Sequence, residues 1–484
     1  MTDVLLYILG ILIILVGLAV SIGLHEIGHL VPAKLFGVKV TQYMVGFGKT
    51  LWSKRRGETE YGIKAIPLGG YVAMTGMYPP QKPGEAPRAS TTGFLNSVVQ
   101  EGAPERLGGA QARATTIETD PAQLAVPGEP EIRRGVAGLV DDARLASAET
   151  IGEGEDHRTF YRLPVWKKIV IMAGGPLMNL VLAFVFFTIV LVGFGIPQNS
   201  TTLGSLNTCL IPASSTATSC GAGDPEAPAA AAGLEPGDRI LAVDGQQIDS
   251  WEQFRGIISD SPGATLDVRI ERDGAARTVE LTPVANERAV AGPDGRVLTG
   301  ADGKVQTETV GMIGATPASE VVPQPITEVP AFVGENVSQV AGVILRLPQR
   351  MVDTWNAAFG AEARDPNGPI SVVGVGRMAG EIVSLDEAPV AARAQTMFGL
   401  LGSLNVALFV FNLIPLMPLD GGHIAGALYE GAKRGIARLR GKPDPGPIDT
   451  AKMVPVTFAV VIVLGAMSLL LIYADIVKPV SLFG

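Results

Sequence analysis

Four long apolar runs alternate with polar, Gly- and Pro-rich stretches along this chain of 484 residues. In chain order the runs cover residues 4–24, 169–194, 396–416 and 453–472. Each is long enough to cross a hydrocarbon layer of about 30 Å as a helix. The first could instead be a cleaved signal peptide, but Asp3 stands where a basic segment is expected, and the run is too long. The pattern therefore predicts a polytopic membrane protein with four transmembrane helices and soluble insertions.

Lysine and arginine residues collect on one side of the four predicted helices. They are frequent after the first run, before the second and after the third, whereas residues 196–238 contain none. Because cytoplasmic loops carry the excess of these residues, we expect residues 37–165 and 418–452 in the cytoplasm. Both termini and residues 196–395 are then expected outside the plasma membrane. The net charge of −9 argues against nucleic-acid binding, because proteins that bind nucleic acids usually carry an excess of positive charge.

The sequence His25-Glu26-Ile27-Gly28-His29 continues directly from the first apolar run. Residues four apart on a helix lie one above the other, so both imidazoles can reach one zinc ion, with Glu26 as the general base. Two solvated histidines on a helix surface are the plain alternative. The chain contains only 4 histidines, and ionisable groups at membrane depth are costly unless they share a function. The pattern favours a catalytic zinc site.

A catalytic zinc ion usually has three protein ligands, so this motif is incomplete by itself. In the segment 411–423, which ends the third apolar run, Asp420 is the only carboxylate, with two prolines before it and two glycines after it. His423 is a second candidate. His157 lies in a polar segment typical of a solvated loop. Asp420 could also cap the following helix. The residues alone favour Asp420 and leave His423 open.

Residues 60–74 combine β-branched residues with Pro67 and a Gly-Gly pair, which predicts a strand, a turn and a strand. We expect a membrane-associated β-hairpin beside the zinc. Its exposed edge would hold an extended substrate by strand addition at Gly69, Gly70 and Tyr71. A plain cytoplasmic hairpin is the alternative.

Three further segments have a distinct composition. Cys209 and Cys220 are the only 2 cysteines. They fall in the expected extracytoplasmic segment, where a disulfide persists, so we expect them to be bonded, with two free thiols as the alternative. Residues 79–160 are rich in Pro, Gly, Ala and Glu without sustained periodicity, which predicts a flexible cytoplasmic insert. Residues 330–362 have the apolar spacing of an amphipathic helix on the outer membrane surface.

These motifs occur in an order that resembles the site-2 proteases, in the bacterial branch typified by RseP and most of all in its actinobacterial members. The matching segments are HEIGH at 25–29, GFG at 46–48, GIKAIPLGGYV at 62–72, AGGP at 173–176 with Asn179, and NLIPLMPLDG at 412–421. The resemblance implies that Asp420 is the third ligand of one zinc ion. It also implies that Asn412 lies near the scissile peptide and helps to hold substrate or an oxyanion. A bond between helices is the alternative role for Asn412.

Residues 230–245 resemble the helix–turn–strand signature of bacterial PDZ domains. We expect one such domain at residues 201–318. Its strands are expected at 265–271, 277–283 and 310–314, with a loop excursion at 284–309. A PDZ domain binds a chain end by strand addition, or it excludes substrates with long ectodomains. The sequence leaves both roles open.

The expected fold is an α-helical polytopic membrane protein with a membrane-associated β-hairpin and an inserted extracytoplasmic PDZ domain of the α+β type. In chain order, the expected segments are helix 1 with HExxH (1–36), the hairpin region (37–78), the flexible insert (79–160), helix 2 (164–195), the PDZ domain (201–318), an amphipathic linker (319–395), helix 3 with NxxPxxPLDG (396–430), a basic cytoplasmic loop (431–452) and helix 4 (453–474).

The resemblance implies regulated intramembrane proteolysis of single-pass membrane proteins, with anti-sigma factors and signal-peptide remnants as substrates. An upstream site-1 protease would act first on the same substrate. The expected partners therefore include the lipid bilayer and exclude nucleic acid. A non-catalytic PDZ-bearing adaptor is the main alternative, and it predicts an incomplete set of metal ligands. A transporter would show inverted repeats, and the sequence has none.

Overall fold

A computed structural model of the chain forms two compact units, one of Met1–Leu191 with Pro325–Gly484 and one of Val192–Gln324. The residues that the structure describes are 2–79, 140, 151, 155–213, 215, 219–221, 226–290, 297–298, 305–362, 364–365 and 368–480. Most of the insert expected at 79–160 lies outside these residues. Its final part, 155–160, is described, and Phe160 is buried there in a hydrophobic core of the first unit.

Within the described part of the chain, four helices are long and apolar enough to cross a membrane, in agreement with the predicted number. These stretches are Asp3–Leu35, Val165–Phe194, Val390–Asn412 and Thr450–Val477. The corresponding α-helices are α1 (Thr2–Leu35), α2 (Val165–Thr188), α8 (Val390–Asn412) and α10 (Val454–Val477). A π-helical turn, Ile189–Phe194, continues the second stretch.

The segment expected as helix 3, residues 396–430, is corrected, because it divides into two helices. Helix α8 ends at Asn412, and a separate helix, α9, runs from Asp420 to Leu439. The break follows from Pro415 and Pro418, because proline lacks an N–H and disfavours a helical residue before it. The basic loop expected from residue 431 is therefore corrected: residues 431–439 belong to α9.

Backbone contacts set the spacing of the central helices. Helix α1 packs against α2, and a Cβ built on Gly174 would lie 2.0 Å from the carbonyl oxygen of Gly28. Only glycine at both positions allows this approach. Lys168 on α2 and Glu430 on α9 form an ion pair of 2.8 Å, with both side chains buried. The site-forming helices α1, α2 and α9 are thus joined by short contacts.

Three shorter α-helices are also described in this unit. They are α5 (Val329–Leu345), α6 (Leu347–Phe359) and α7 (Val372–Ser384). The amphipathic stretch expected at 330–362 is therefore two helices, divided at Arg346 before Pro348. Helix α7 packs along α1, and α10 packs mainly against α6 and α7.

Strands β1 (Val40–Arg56) and β2 (Thr59–Met74) form an antiparallel sheet with several register shifts. The segments 60–63 and 70–73 of β2 pair on opposite sides of residues 42–45 of β1. The expected strand, turn and strand within 60–74 is therefore corrected. Its two arms pair with β1 rather than with each other. The register places Gly70 opposite Val45.

The second unit is built on a sheet in the order β10-β3-β4-β6-β7, with β5 paired to β4. Its strands are β3 (Ile196–Leu206), β4 (Arg239–Val243), β5 (Gln246–Gln247), β6 (Leu266–Arg272), β7 (Ala275–Leu281) and β10 (Ala315–Val322). Helices α3 (Pro228–Ala231) and α4 (Trp251–Asp260) belong to the same unit. Phe254, Ile240 and Ile270 are buried in its core.

A second, two-stranded sheet pairs β8 (Val284–Ala289) with β9 (Thr307–Met312). The stretch expected as a loop excursion at 284–309 therefore begins and ends in strands. Cys209 and Cys220 are joined by a disulfide. The backbone of Cys209 also pairs with that of Glu226 in an isolated antiparallel β-bridge. The disulfide closes the short loop between the two cysteines, within this unit.

Candidate metal centre

The last third of α1 carries both motif histidines on one buried face. The exposed fraction of His25 is 8% and that of His29 is 5%. Their Nε2 atoms lie 3.2 Å apart, as expected for residues four apart on a helix. The two imidazoles therefore point to the same place inside the first unit.

Asp420 brings a carboxylate to this place from the start of α9. Its Oδ2 lies 3.3 Å from Nε2 of His25 and 3.4 Å from Nε2 of His29. The helix can begin so close to the preceding turn because Gly421 and Gly422 have no side chain. A Cβ at either position would lie within 2.6 Å of the backbone of residues 413–417.

The three ligand atoms fit a zinc ion. Ligands about 2.0–2.1 Å from a tetrahedral zinc ion are about 3.4 Å from one another, which is close to the separations here. Among the described residues, His25, His29 and Asp420 form the group whose ligand atoms could hold a metal ion. Lone pairs and a carboxylate that converge in this way repel one another unless a cation lies between them.

Helix α2 orients both histidines from behind. Nδ1 of His29 lies 2.7 Å from the carbonyl oxygen of Ile171, so Nδ1 donates its proton there and Nε2 is free to bind a metal. Nδ2 of Asn179 lies 3.0 Å from Nδ1 of His25, and Oδ1 of Asn179 is buried without a hydrogen-bond partner among the described residues. The amide nitrogen and oxygen are nearly alike in size, so the reverse orientation, with Oδ1 towards Nδ1, would let Asn179 accept from Nδ1 and hold His25 in the same tautomer as His29.

Gly175 on α2 leaves the space in which the ligands meet. A Cβ on Gly175 would lie 2.2 Å from Nε2 of His29 and 2.7 Å from Nε2 of His25. Neither Gly175 nor Asn179 is predicted as a site residue from the sequence, although both belong to the segment that carries the resemblance. Asn179 was detectable as an amide within an apolar run.

Glu26 lies on the neighbouring face of α1, beside the sheet. A Cβ on Gly70 would lie 2.9 Å from Cγ of Glu26, so the Gly70 backbone lies directly against the Glu26 side chain. Gly69 instead contacts the ring of Phe47. The hydroxyl of Tyr71 donates to Oε1 of Gln42. The structure therefore brings one of the three predicted substrate residues, Gly70, to the side chain of Glu26.

Tyr43 attaches the sheet to α1. Its hydroxyl donates to the carbonyl oxygen of Gly23 over 2.8 Å. Burial of the ring, with the charges of Glu26 and Tyr61 nearby, raises the pKa of Tyr43 to about 12. The hydroxyl therefore keeps its proton and remains a donor at neutral pH.

The remaining candidates lie outside the metal cluster. Asn412 ends α8 and is partly exposed, and its side chain forms no hydrogen bond with the described residues. His423 lies on the first turn of α9, where burial lowers its pKa, and it is not one of the ligand group. His157 is exposed in a short 3-10 helix, Asp156–Arg158.

Comparison with known proteins agrees with this site. Residues 13–443 match Peptidase family M50, and the chain belongs to that family. It is 29% identical to zinc metalloprotease Rip1 of Mycobacterium bovis, over 99% of this chain and 100% of the relative. Rip1 of Mycolicibacterium smegmatis is 30% identical, with 98% and 99% covered. The regulator of sigma-W protease RasP of Bacillus subtilis is 26% identical, with 87% of each chain covered.

The family match confirms the resemblance to site-2 proteases. The chain is a multi-pass membrane metalloprotease of the site-2 type, and zinc is its cofactor. The alternatives of a non-catalytic adaptor and a transporter are set aside, because the ligand group is complete and the relatives are proteases.

Proposed function

We propose that the chain binds one zinc ion through His25, His29 and Asp420, and cleaves single-pass membrane proteins at this centre. The observation that carries the proposal is that three ligand atoms lie 3.2–3.4 Å apart. Two of them come from the membrane-spanning helix α1, and the third comes from the start of α9. A bound zinc ion would lower the pKa of water to about 7 and polarise the scissile carbonyl.

Glu26 is proposed as the general base and acid. Its carboxylate forms no hydrogen bond with the described residues and lies next to the ligand cluster and Gly70. It would take a proton from the attacking water and later deliver it to the leaving nitrogen. This role needs a free carboxylate close to the peptide, which the position of Glu26 supplies.

Gly70 and its neighbours Gly69 and Tyr71 are proposed to hold the substrate. A helix hides its peptide bonds, so the substrate must become extended, and a strand edge binds an extended chain through its main chain. The closeness of Gly70 to Glu26 supports this placement. Asn412 is proposed to donate to the developing oxyanion, and that role rests on the motif alone.

The proposed substrates are anti-sigma factors and signal-peptide remnants. Support comes from the printed name of the Bacillus subtilis relative, a regulator of sigma-W protease. An upstream site-1 protease would first shorten the anti-sigma factor outside the cell. The lysine and arginine distribution supports a topology with both termini outside and the metal site towards the cytoplasm.

The unit Val192–Gln324 is proposed as an extracytoplasmic PDZ domain that meets the substrate ectodomain. Its five-stranded sheet path with the short helix Trp251–Asp260 suits such a domain. The Cys209–Cys220 disulfide agrees with an oxidising compartment.

The proposal is tested with purified Glu26→Gln protein in vesicles that contain a single-pass anti-sigma factor. The variant should keep its zinc and lose about 10²–10⁴-fold in cleavage rate, because only the proton transfer is removed. Glu328→Gln, which changes an exposed acid elsewhere in the same unit, is the control and should cleave like the wild type. Equal cleavage by the Glu26→Gln protein would refute the mechanism.

A further inference from the structure

Helix α9 has a buried face and an exposed face with different partners. The buried face contacts α2, where Glu430 accepts from Lys168 over 2.8 and 3.0 Å and Gly431 lies against Val165. Arg434 reinforces this face by pairing with Glu430 at 3.1 Å. These contacts fix which side of α9 points away from the first unit.

The side that points away is apolar. Leu428 is 57% exposed, Tyr429 65%, Ile436 49% and Leu439 88%. At about 100° per residue, these four side chains fall within an arc of about 100° on one side of the helix. We call them the α9 stripe. Nothing among the described residues covers it.

Basic residues border the α9 stripe on both sides. Lys433 lies along one border and Arg438 along the other, and Arg440 and Lys442 follow directly after the last helical residue. All four are exposed, and none forms an ion pair with a described residue. Arg434, on the buried side, differs in being paired with both Glu430 and Asp444. The cations beside the stripe are therefore available to an external anion.

We propose that α9 lies in the membrane–water interface, with the α9 stripe among acyl chains and its bordering cations on the phosphates of anionic phospholipids. An apolar face flanked by lysine and arginine is the pattern of an interfacial helix. The cations would draw it to a leaflet rich in anionic lipid. This lipid contact is distinct from proteolysis and does not depend on the proposed substrates.

The connection to α8 favours a lipid over a soluble partner. Helix α8 is one of the membrane-spanning stretches, and only residues 413–419 separate it from α9. Seven extended residues reach at most about 25 Å, so α9 must start close to the end of the span. Because Asp420 is its first residue, the lipid contact would also fix the depth of a metal ligand.

The test uses a nitroxide at position 436 of the full-length protein. Both native cysteines are in the Cys209–Cys220 disulfide, so I436C provides a unique thiol. The protein is placed in phosphatidylcholine vesicles with and without phosphatidylglycerol, and collisions with oxygen and with a water-soluble nickel complex are measured. Zinc content reports the integrity of each variant.

Adding phosphatidylglycerol should raise the oxygen collision rate and lower the nickel rate, as the label moves into the acyl region. In K433Q/R438Q/R440Q/K442Q protein this response should disappear, because each cation contributes about fivefold to the affinity for an anionic leaflet. The control K49Q/K54Q/R55Q/R56Q removes as many positive charges from β1 and should respond like the parent.

Three results would overturn the proposal. The label could stay accessible to nickel in both lipids. The two charge variants could respond alike, which would show a general charge effect. Protection could also appear in detergent as the protein concentration rises, which would assign the α9 stripe to a second copy of the chain.

Discussion

The metal centre and the β1–β2 sheet lie on two sides of Glu26, but different interactions fix their geometry. At the metal centre, α1 and α2 are in backbone contact at Gly28 and Gly174, and the Lys168–Glu430 ion pair joins α2 to α9. In the sheet, the position of Gly70 depends on strand pairing with Val45 and on several register shifts. A change at the centre should therefore affect metal binding, and a change in the sheet should affect turnover.

The largest effect on the metal centre is expected for the substitution Gly175→Val. The new side chain would occupy the space of the ligand atoms, since even a Cβ lies 2.2 Å from Nε2 of His29. We expect loss of stoichiometric zinc and of proteolysis, measured by metal analysis of the purified protein. Gly334→Val, at a position with open space around it, is the control. Full zinc content in Gly175→Val protein would show that this close approach is not required.

Asn179→Ala should have the next largest effect. Loss of a group that orients a metal-binding histidine typically weakens metal affinity by about 10–100-fold. Competition with a chelator measures this change. Asn405→Ala is a matched control, because Asn405 is also a buried amide in a spanning helix, bonded to Ser21 at 3.0 Å. Equal losses of affinity in both variants would contradict a specific role for Asn179.

Gly70→Ala should reduce turnover without changing zinc binding, and so separate the contribution of the sheet from that of the metal centre. The added methyl group would come within 2.9 Å of Cγ of Glu26 and 3.1 Å of the carbonyl oxygen of Met44. We expect zinc to be retained and kcat/KM to fall by between about tenfold and 10²-fold, because the substrate edge is displaced from the base. Ser53→Ala, on an outer part of β1, should cleave normally. Zinc loss in Gly70→Ala protein would show that the two regions are not independent.

The smallest effect is expected in the unit Val192–Gln324. Arg272 bonds the buried Asp238 carboxylate over 2.6 and 2.7 Å and holds the pKa of that carboxyl below its usual range. The carboxylate therefore stabilises the unit above the unfolded-state pKa of about 3.9, and this contribution is lost as pH falls through the lower folded-state value.

In Asp238→Asn protein, the melting temperature of this unit should be lower than in the wild type at neutral pH. The difference in melting temperature between the variant and the wild type should disappear on acidification below about pH 4. Thermal unfolding followed at several pH values measures both trends. A difference that stays constant down to the lowest pH would mean that the Asp238 charge is not involved.

The proposed metal ligands were predictable in part, because local patterns carry some of their geometry. The spacing of His25 and His29 places both on one helix face. The residues alone favoured Asp420 as the third ligand and left His423 open, and the family resemblance decided between them. Asn179 and Gly175 were missed, because their role appears only when α2 is packed behind α1. One sequence shows the residue types but not which helices touch.

The sheet and α9 show where sequence patterns were insufficient. Residues 60–74 have the alternation of two strands, but nothing local tells that residues 42–45 lie between them. The many basic residues after 431 favoured a loop, although the apolar residues among them have helical spacing along one side of α9. For the sheet, the deciding partner is a strand outside the segment; for α9, the helical spacing was present in the sequence and was outweighed by the basic residues.

The contact between Gly28 and Gly174 has a mechanical consequence. Side chains between two helices can change rotamer and let the helices slide, whereas two touching backbones have no such freedom. The contact lies one residue from both His29 and Gly175. The metal centre therefore lies next to the least deformable contact between α1 and α2. Bending or tilting of the membrane helices should turn around this point and leave the distances between the histidines and α2 almost unchanged.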